Sequence, residues 1–357
     1  MKRHIISENK AASCYFRTSV EFPYRKALVQ ITERCNLHCA HCFVSAGNYG
    51  DEMSLENIRE ILIPRLKACR VISVSLTGGE PFVHPNLLEI VSLFRSADIK
   101  VGICTNATCI DESQIEALVI LGGVHCNVSL DGFSAESHGK FRGDMESFAK
   151  TVTTVRALGR RGLLQGLLAT PNNLAEISEY SKLCEFAIEN GAAYVLMNPL
   201  SSMGRGVRAI KKLSATNDTM RQIAVATSSF SEKVELVHIR FPNDKKLPLA
   251  ACEAGNIIYV FTHGELTVCP YLVFAANTPQ SLHKAGEFIV GNIFSDHDIA
   301  GSLDAYKLSE RYRLGGNSTC GGCHLNGDCG KGCPAAIIAA GKRIEEVDAE
   351  VCPMVNL

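Results

Sequence analysis

The sequence contains no tryptophan, almost no excess charge and no long hydrophobic run. Its 36 Lys and Arg residues balance 37 Asp and Glu residues, which leaves a formal net charge of −1. A protein that binds DNA or RNA by releasing counterions needs a strongly basic face, and an acidic disordered tail needs an excess of carboxylates. Neither class fits, and we expect no nucleic-acid partner.

The chain also lacks the apolar segments that direct a protein to or across a membrane. No run approaches the ~18 apolar residues of a membrane-spanning segment. The apolar run that follows Lys2, Arg3 and His4 consists of only Ile5 and Ile6. A secretory signal requires an apolar run of about 7 to 15 residues. We therefore expect a soluble, cytoplasmic protein with no membrane partner.

Cysteine is the residue type in excess, with 16 copies. In a small secreted protein this number would indicate disulfides. This chain is 357 residues long and 46% hydrophobic, so it can form a sizeable core without them, and its length allows roughly two domains. Because we expect no export, metal ligation explains the cysteines better.

Short β-like segments alternate with amphipathic helical stretches at intervals of about 30 residues, which is typical of βα units that build a parallel sheet. The predicted strands cover residues 27–31, 71–77, 100–104, 124–130, 163–169 and 193–197. Asp111 and Gln114 form a capping-box-like helix start, and Gly122 predicts the end of that helix. Pro64 predicts a kink or an early stop in the helical stretch 54–68.

This pattern predicts an α/β fold. Six units are fewer than the eight of a complete barrel, so residues 27–206 are predicted as a partial (β/α)6, TIM-like barrel with its chemistry on the loops at the strands' carboxyl ends. Residues 1–26 are an N-terminal extension, and the polar stretch 207–250 is predicted as a helical connector. From residue 251 to 357, cysteine and glycine become frequent and periodicity is lost, which predicts a small Cys-rich domain organised by metal.

Directly after the first predicted strand, Cys35, Cys39 and Cys42 form a C-x3-C-x2-C triplet. Three closely spaced thiolates can hold three irons of a 4Fe-4S cluster and leave the fourth iron open to a ligand that is not protein. Structural zinc sites prefer four ligands in paired C-x2-C spacing. The triplet therefore favours iron-sulfur, with a zinc site or unrelated thiols as the alternatives.

The second predicted strand ends in Gly78-Gly79-Glu80-Pro81. The glycines allow close backbone approach, and the glutamate offers a carboxylate to an ammonium group. Many βα turns contain paired glycines, so this segment is a weak signal by itself.

The two motifs together, in this order, resemble the radical S-adenosylmethionine (SAM) enzymes. The resemblance covers essentially the whole chain and extends to three further segments that follow the peptide-modifying branch: Thr105-Asn106, Ser129-Leu130-Asp131-Gly132, and Arg142-Gly143 with Phe148. In that family SAM chelates the open iron, one electron from the cluster breaks its C–S bond, and the resulting 5′-deoxyadenosyl radical removes hydrogen from unactivated carbon. The cofactor carries this radical chemistry, and the protein binds and orients the cofactor and substrate and excludes side reactions.

The resemblance implies roles for individual residues. Those implied as cluster ligands are Cys35, Cys39 and Cys42, and those implied as SAM contacts are Gly78, Gly79, Glu80, Pro81, Asn106, Ser129 and Arg142. Glu80 would contact the ammonium group of SAM, and Ser129 and Arg142 would contact its ribose and carboxylate. The alternatives are a strand-end hydroxyl for Ser129 and a solvated surface arginine for Arg142, while Asp131 fits a turn as well as a ligand contact.

The C-terminal region carries seven more cysteines: Cys252, Cys269, Cys320, Cys323, Cys329, Cys333 and Cys352. A zinc ribbon would explain the central four and leave the other three without a role. The pattern resembles the SPASM extension of radical SAM enzymes, which holds two auxiliary 4Fe-4S clusters. That implies three clusters in total.

The same resemblance divides these cysteines between the auxiliary clusters. One cluster would be ligated completely by Cys320, Cys323, Cys329 and Cys352. The other would have only three ligands, Cys252, Cys269 and Cys333, which leaves its fourth position to substrate, water or a non-cysteine ligand.

The run 329–335, with Cys352 beyond it, is similar to the maturases of the pyrroloquinoline quinone and mycofactocin precursor peptides. This implies an enzyme that abstracts hydrogen from a ribosomally made peptide and gives a crosslinked or oxidised product. Pro270 stands where the sulfatase-maturing branch has aspartate, which argues against a formylglycine-forming enzyme. The alternatives are oxidation or epimerisation of a small molecule, such as an aminoglycoside or amino acid derivative, with Cys104 or Cys109 as thiol donor, and a non-catalytic iron-sulfur electron carrier.

The expected partners follow from this function. They are a precursor peptide and a flavodoxin or ferredoxin as reductant. The 26 residues before the first predicted strand are too few for a fused leader-binding domain, so we expect a separate leader-binding protein or the barrel itself to hold the leader. The basic stretch formed by Arg205, Arg208, Lys211 and Lys212 has the charge to meet an acidic leader peptide, but a solvated helix face is the commoner explanation and is the interpretation we adopt.

Overall fold

The computed structural model describes residues 9–16 and 20–355. The strands are β1 (Arg25–Thr32), β2 (Val71–Gly78), β3 (Lys100–Thr105), β4 (Val124–Ser129), β5 (Leu164–Ala169), β6 (Tyr194–Met197), β7 (Glu235–His238), β8 (Ile257–Val260), β9 (Glu265–Thr267) and β10 (Ile289–Asn292). They form one sheet in the order β10-β9-β8-β1-β2-β3-β4-β5-β6-β7. Neighbouring strands from β8 through β7 are parallel, and β9 and β10 are added antiparallel.

Helices lie between and after the strands. The α-helices are α1 (Ile63–Ala68), α2 (Leu87–Ser96), α3 (Glu112–Leu121), α4 (Lys140–Arg142), α5 (Ser147–Arg160), α6 (Ile177–Glu189), α7 (Gly206–Leu213), α8 (Asn217–Thr227), α9 (Pro270–Ala276), α10 (Ile299–Ala305), α11 (Leu308–Arg311), α12 (Ser318–Gly321) and α13 (Pro334–Ala339). Single 3-10 turns cover Pro81–Val83, Ser228–Phe230 and Ala285–Phe288, and π-helical turns cover Asn57–Leu62 and Ala135–Gly139.

The predicted parallel α/β sheet is confirmed. Each of the six predicted strands corresponds to one of β1 to β6. Strand β1, in the middle of the sheet, is buried at seven of its eight positions. Parallel strands covered on both faces are expected to be apolar along their length rather than alternating, and this apolar character made the strands recognisable in the sequence.

The sheet is larger than the sequence indicated. The segment predicted as a helical connector contains α7 and α8, but also β7, which pairs in parallel with β6. The Cys-rich region supplies β8, which pairs with β1 from Lys26 opposite Ile257 to Val29 opposite Val260. These are strands of four residues, too short to establish a period in the sequence. The predicted division of the chain into domains remains a prediction.

The predicted helix start and end around Asp111 and Gly122 are confirmed. Asp111 Oδ1 accepts the N–H of Gln114 at 2.8 Å, Gln114 Oε1 accepts the N–H of Asp111 at 3.1 Å, and the helix ends at Gly122. The early stop predicted at Pro64 is not found, because helical residues continue through Pro64 to Ala68. The π-helical turn Asn57–Leu62 changes to α1 directly before this proline, and the predicted kink stays a prediction.

The described part of the N-terminal extension packs on a distant segment of the chain. Ala11 bridges to Leu249, and its N–H donates to Pro248 O at 3.0 Å. Residues 1–8 and 17–19 of the extension lie outside the described residues. Among the helices that are described, none has both the length and the apolar character needed to cross a membrane.

Candidate active site

The loops at the carboxyl ends of β1 to β6 surround a cavity of about 1630 Å³. The predicted site residues that line it are Cys35, Cys39, Cys42, Gly78, Gly79, Glu80, Asn106, Ser129 and Arg142. Pro81 instead starts the buried 3-10 turn behind Glu80. Residues from six separate loops meet here because the carboxyl ends of parallel strands lie at one edge of the sheet.

The cysteine triplet forms the part of the wall that follows β1. Cys35 and Cys39 are buried, and Cys42 is partly exposed. Burial raises the pKa of the Cys35 thiol to about 12, although the N–H of Leu37 donates to its sulfur at 3.4 Å. A thiolate at this position therefore needs a positive partner, which a bound metal provides.

No cysteine belongs to the group of ligand atoms that the described residues bring within 4.8 Å of one another, which is Glu33, Asp51 and His263. A tetrahedral zinc ion with Zn–S bonds of about 2.3 Å would hold its thiolates about 3.8 Å apart, and the cysteines of the described chain do not form such a preformed site. Three thiols on one loop fit three irons of a 4Fe-4S cluster.

Gly78 and Gly79 dock the loop after β2 against the loop after β1. A Cβ at Gly78 would lie 2.1 Å from Thr32 O, and one at Gly79 would lie 2.0 Å from Arg34 O. The N–H of Gly79 donates to Thr32 O, and the N–H of Glu80 donates to Arg34 O, both at 2.9 Å. The glycines therefore permit a close backbone approach, and the backbone they approach is the segment that leads into Cys35.

Glu80 is a buried carboxylate, with 1% of its surface exposed. It accepts hydrogen bonds from the Thr105 hydroxyl at 2.6 Å, the Asn106 N–H at 2.7 Å and the Phe82 N–H at 3.2 Å. Burial raises the pKa of Glu80, and these hydrogen bonds offset the rise in part. The carboxylate has further acceptor capacity, which suits it to an ammonium group placed in the cavity.

Arg142 is also buried, so its interpretation as a solvated surface residue is wrong. Its Nε donates to Asp131 Oδ2 at 2.6 Å, and its Nη1 lies 3.8 Å from Cys39 Sγ. Burial alone would lower the pKa of Arg142, but the Asp131 carboxylate beside it raises that pKa above its ordinary value. Asp131 Oδ1 also accepts the N–H of Thr170 at 2.8 Å, so Asp131 holds the arginine in place.

Arg205 was interpreted from the sequence as part of a solvated helix face, and this is wrong. Its Nε donates to Cys39 O at 2.8 Å, its Nη1 donates to Ala46 O at 2.6 Å, and its own N–H donates to Cys42 O at 2.9 Å. Arg205 therefore fastens the cysteine loop to the segment after β6. Arg208, on the same helix, is exposed as expected.

Asn198 is a second residue that the sequence did not reveal. It follows β6 and lines the cavity, and its buried Oδ1 has no hydrogen-bond partner among the described residues. A buried acceptor without a donor costs about 1 to 3 kcal/mol. It is therefore suited to a donor group of a bound ligand.

The two cysteines considered as hydrogen donors differ in position. Cys104 lines the cavity, whereas Cys109 is exposed. Burial raises the pKa of Cys104, which keeps its hydrogen on sulfur.

A smaller cavity of about 380 Å³ adjoins the first, with Tyr271 in the walls of both. It is lined by Cys252, Cys269 and Cys333, as the resemblance grouped them, and also by Cys14. No spacing in the sequence groups Cys14 with these three residues.

The remaining four C-terminal cysteines form another group. The thiol of Cys352 lies close enough to Cys320, Cys323 and Cys329 for their charges to raise its pKa, in addition to the effect of burial. The N–H of Leu325 donates to Cys323 Sγ at 3.4 Å, and the N–H of Lys331 donates to Cys329 Sγ at 3.4 Å. Backbone donors directed at sulfur suit thiolates that ligate an iron-sulfur cluster.

Two characterised proteins are similar to this chain over most of its length. The antilisterial bacteriocin subtilosin biosynthesis protein AlbA of Bacillus subtilis is 28% identical over 339 residues, which cover 87% of this chain and 69% of that protein. The mycofactocin maturase MftC of Mycobacterium tuberculosis is 27% identical over 336 residues, which cover 90% of this chain and 81% of that protein.

The fold has a similar solved structure, that of Streptococcus suis SuiB bound to S-adenosylmethionine. The TM-score is 0.69 at 18% identity, and the match covers 92% of this chain and 77% of SuiB. Residues 29–182, which run from β1 into α6, match the family model of the radical SAM superfamily. The segment 29–182, which carries the cysteine triplet and Glu80, is therefore similar to the radical SAM domain of enzymes that use a 4Fe-4S cluster and SAM.

Proposed function

We propose that this enzyme is a SPASM-type peptide maturase. It abstracts hydrogen from a ribosomally made precursor peptide and yields a crosslinked or oxidised product. Similarity to a bacteriocin biosynthesis protein and a mycofactocin maturase over 87% and 90% of the chain supports a peptide as the substrate class. The resemblance of the sequence to SPASM-type radical SAM enzymes implied the same function.

The observation that carries the proposal is one cavity that joins three thiols, a buried carboxylate and a buried arginine at the carboxyl edge of the sheet. The cavity is open to solvent at the edge of the sheet where the loops after β1 to β6 meet, so SAM and part of a substrate can be bound beside the same thiols.

We assign the SAM-binding cluster to Cys35, Cys39 and Cys42. When bound, the cluster and SAM supply a 5′-deoxyadenosyl radical that can remove hydrogen from unactivated carbon. Glu80 would accept a hydrogen bond from the ammonium group of SAM. Arg142, which Asp131 holds in place, would pair with the carboxylate of SAM.

The other predicted contacts complete this assignment. Asn106 and Ser129 offer polar groups to the ribose, while Gly78, Gly79 and Pro81 set the turn that presents Glu80. The apolar walls of the cavity exclude water, which protects a reactive radical from side reactions.

We also assign two auxiliary clusters to the C-terminal cysteine groups. One group is Cys320, Cys323, Cys329 and Cys352, and the other contains Cys252, Cys269 and Cys333. Together with the first cluster they require about 12 iron atoms per chain. In this proposal a flavodoxin or ferredoxin supplies the electrons, and either a separate leader-binding protein or the barrel itself holds the leader of the peptide.

The test uses anaerobically reconstituted enzyme with a reductant, SAM and the short peptide encoded beside its gene. We expect 5′-deoxyadenosine and a loss of mass from the peptide, and neither product from the variant Cys35→Ala/Cys39→Ala/Cys42→Ala. An unchanged peptide beside a converted aminoglycoside or amino acid derivative would overturn the peptide assignment. Iron without any cleavage of SAM would indicate an electron carrier instead.

A further inference from the structure

Four cysteines line the smaller cavity. The family resemblance of the sequence implied only three ligands for the cluster at this place. Cys14 is 3% exposed and Cys333 is 4% exposed, and both line the cavity with Cys252 and Cys269. The thiols of Cys14 and Cys333 lie beside one another in this lining. Cys14 Sγ also donates to the carbonyl oxygen of Gly332 at 3.4 Å. Two thiols from opposite ends of the chain are thus neighbours.

The position of Cys14 is fixed by the backbone on its N-terminal side. Ser13 Oγ donates to Ala250 O at 3.1 Å. The N–H of Arg240 donates to Ala12 O at 2.7 Å, and Arg240 Nη1 donates to Ser13 O at 3.0 Å. The segment that carries Cys14 is therefore attached to two other parts of the fold.

Aromatic packing fixes the C-terminal side. The ring of Tyr15 stacks on Tyr271 with the centroids 4.8 Å apart, and the ring of Phe16 lies 4.9 Å from the same residue. Tyr271 belongs to α9, which begins directly after Cys269. The packing that holds Cys14 therefore also holds the helix next to another thiol of the group.

A cysteine that only fills space packs among apolar side chains, as Cys184 does in α6. Cys14 instead lies beside three thiols that already resemble a ligand set with one member missing. Cubane clusters in proteins are commonly held by four cysteine thiolates. The Cys269 sulfur lies near the backbone N–H groups of Tyr271 and Leu272 in the first turn of α9, which suits a thiolate.

We propose that Cys14 is the fourth ligand of the auxiliary cluster held by Cys252, Cys269 and Cys333. This rests on the proposed function, which places a cluster in that cavity. The position that the sequence left to substrate, water or a non-cysteine ligand is then taken by a thiolate. No iron of this cluster is available to a substrate, and the substrate is bound in the larger cavity on the other side of Tyr271.

The test starts from the variant Cys35→Ala/Cys39→Ala/Cys42→Ala, in which only auxiliary clusters remain. Cys14→Ala is added to this parent, with Cys14→Ser as the conservative variant and Cys184→Ala as a matched loss of one buried thiol. Iron content and the electron paramagnetic resonance spectrum of the reduced clusters are measured with and without cyanide, which binds an open iron. Circular dichroism checks that each variant is folded.

We expect the parent and Cys184→Ala to hold about 8 iron atoms per chain and to give spectra that cyanide does not change. Cys14→Ala should lose iron toward about 4 atoms, or keep it and give a spectrum that cyanide shifts. Cys14→Ser should retain the iron with an altered spectrum, because an alkoxide oxygen can replace the sulfur.

Three results would overturn the assignment of Cys14 and leave the proposed function standing. They are a Cys14→Ala variant identical to the parent in iron and spectrum, a parent whose spectrum already responds to cyanide, and a Cys14–Cys333 disulfide in peptides from the anaerobically purified enzyme. A parent without iron would overturn the auxiliary clusters of the proposed function as well.

Discussion

Glu80 is a buried carboxylate in the wall of the larger cavity. Its three hydrogen bonds come from neutral donors, the hydroxyl of Thr105 and the N–H groups of Phe82 and Asn106. A buried carboxylate without a cation bonded to it is costly, and burial raises the pKa of Glu80 against the smaller opposing effect of the Arg142 charge. An ammonium group bound in the cavity would reverse this effect, so Glu80 favours a cationic ligand over a neutral one.

Glu80→Gln is therefore expected to weaken SAM binding. The substitution keeps the shape of the side chain but removes its charge and places an amide donor opposite the N–H of Asn106 or the hydroxyl of Thr105. A hydrogen bond to a charged group contributes about 1.5 to 3 kcal/mol, so the Kd for SAM should rise about tenfold to a hundredfold. Anaerobic calorimetry on the reconstituted enzyme measures it.

Glu89→Gln is the control for that measurement. Glu89 pairs with Arg59 at 2.9 Å on the surface, where both side chains are 50% exposed. Its substitution should leave the Kd unchanged. Equal affinity of the Glu80→Gln variant and the wild type for SAM would contradict the assigned ammonium contact.

The residues of the larger site were predictable where a local motif marks them. Cys35, Cys39 and Cys42 follow one strand within a few residues, and Glu80 follows paired glycines at the end of the next. Arg205 was not predictable, because its partners Cys39 and Ala46 lie far from it in the sequence. The residues next to an arginine in the sequence do not distinguish a solvated surface arginine from one that binds a distant loop.

At the scale of elements, the site depends on contacts between loops. The turn after β2 docks on the chain after β1, and the segment between β6 and α7 covers the cysteine loop. Gly204 belongs to this segment, and a Cβ there would lie 2.4 Å from Phe43 O. The cysteine loop is thus held from both sides by backbone hydrogen bonds and by Arg205.

Arg205→Ala is expected to loosen the cysteine loop and to release the iron of the first cluster. The variant loses the donors to Cys39 O and Ala46 O, which leaves two carbonyl groups without those partners. After reconstitution and desalting, iron content should fall by up to about 4 atoms per chain, with a parallel loss of SAM cleavage.

Arg208→Ala, an exposed arginine on the same helix, should retain wild-type iron and cleavage. It controls for the loss of a positive charge near the helix start. If Arg205→Ala behaved in the same way as Arg208→Ala, the cysteine loop would not depend on that side chain.

At the scale of the whole molecule, one buried ion pair joins distant parts of the chain. Arg240 follows β7 and donates to the two carboxylate oxygens of Asp348 at 2.6 and 2.9 Å, with both side chains almost completely buried. The same arginine binds Ser13 O, and the same aspartate accepts the N–H of Cys333 at 2.9 Å. The N-terminal segment and the C-terminal cysteine region are therefore connected through this pair.

Asp348→Asn is expected to destabilise the whole protein, because it leaves the buried Arg240 guanidinium with only the largely exposed Glu350 carboxylate as counter-charge. Breaking such a pair typically costs about 3 to 5 kcal/mol. Urea unfolding of the anaerobic holoenzyme measures the free energy of unfolding.

The chain supplies an exposed pair of the same chemistry as a control. Arg221 binds both oxygens of Asp244 at 2.8 Å, with side chains 48% and 57% exposed. Asp244→Asn should cost less than about 1 kcal/mol, because solvent screens the pair. Equal effects of the two substitutions would show that the buried pair does not hold the molecule together.

The sequence by itself determined the parallel α/β sheet and the position of the first cysteine triplet. Both are local: apolar strands buried on two faces recur with a fixed period, and motifs that follow such strands meet at one edge of the sheet. The tertiary structure decided that β7 and β8 extend the sheet, that Arg205 fastens the cysteine loop and that Cys14 lies beside Cys333. These are contacts between segments far apart in the chain, and no spacing in a sequence records which distant segments folding brings together.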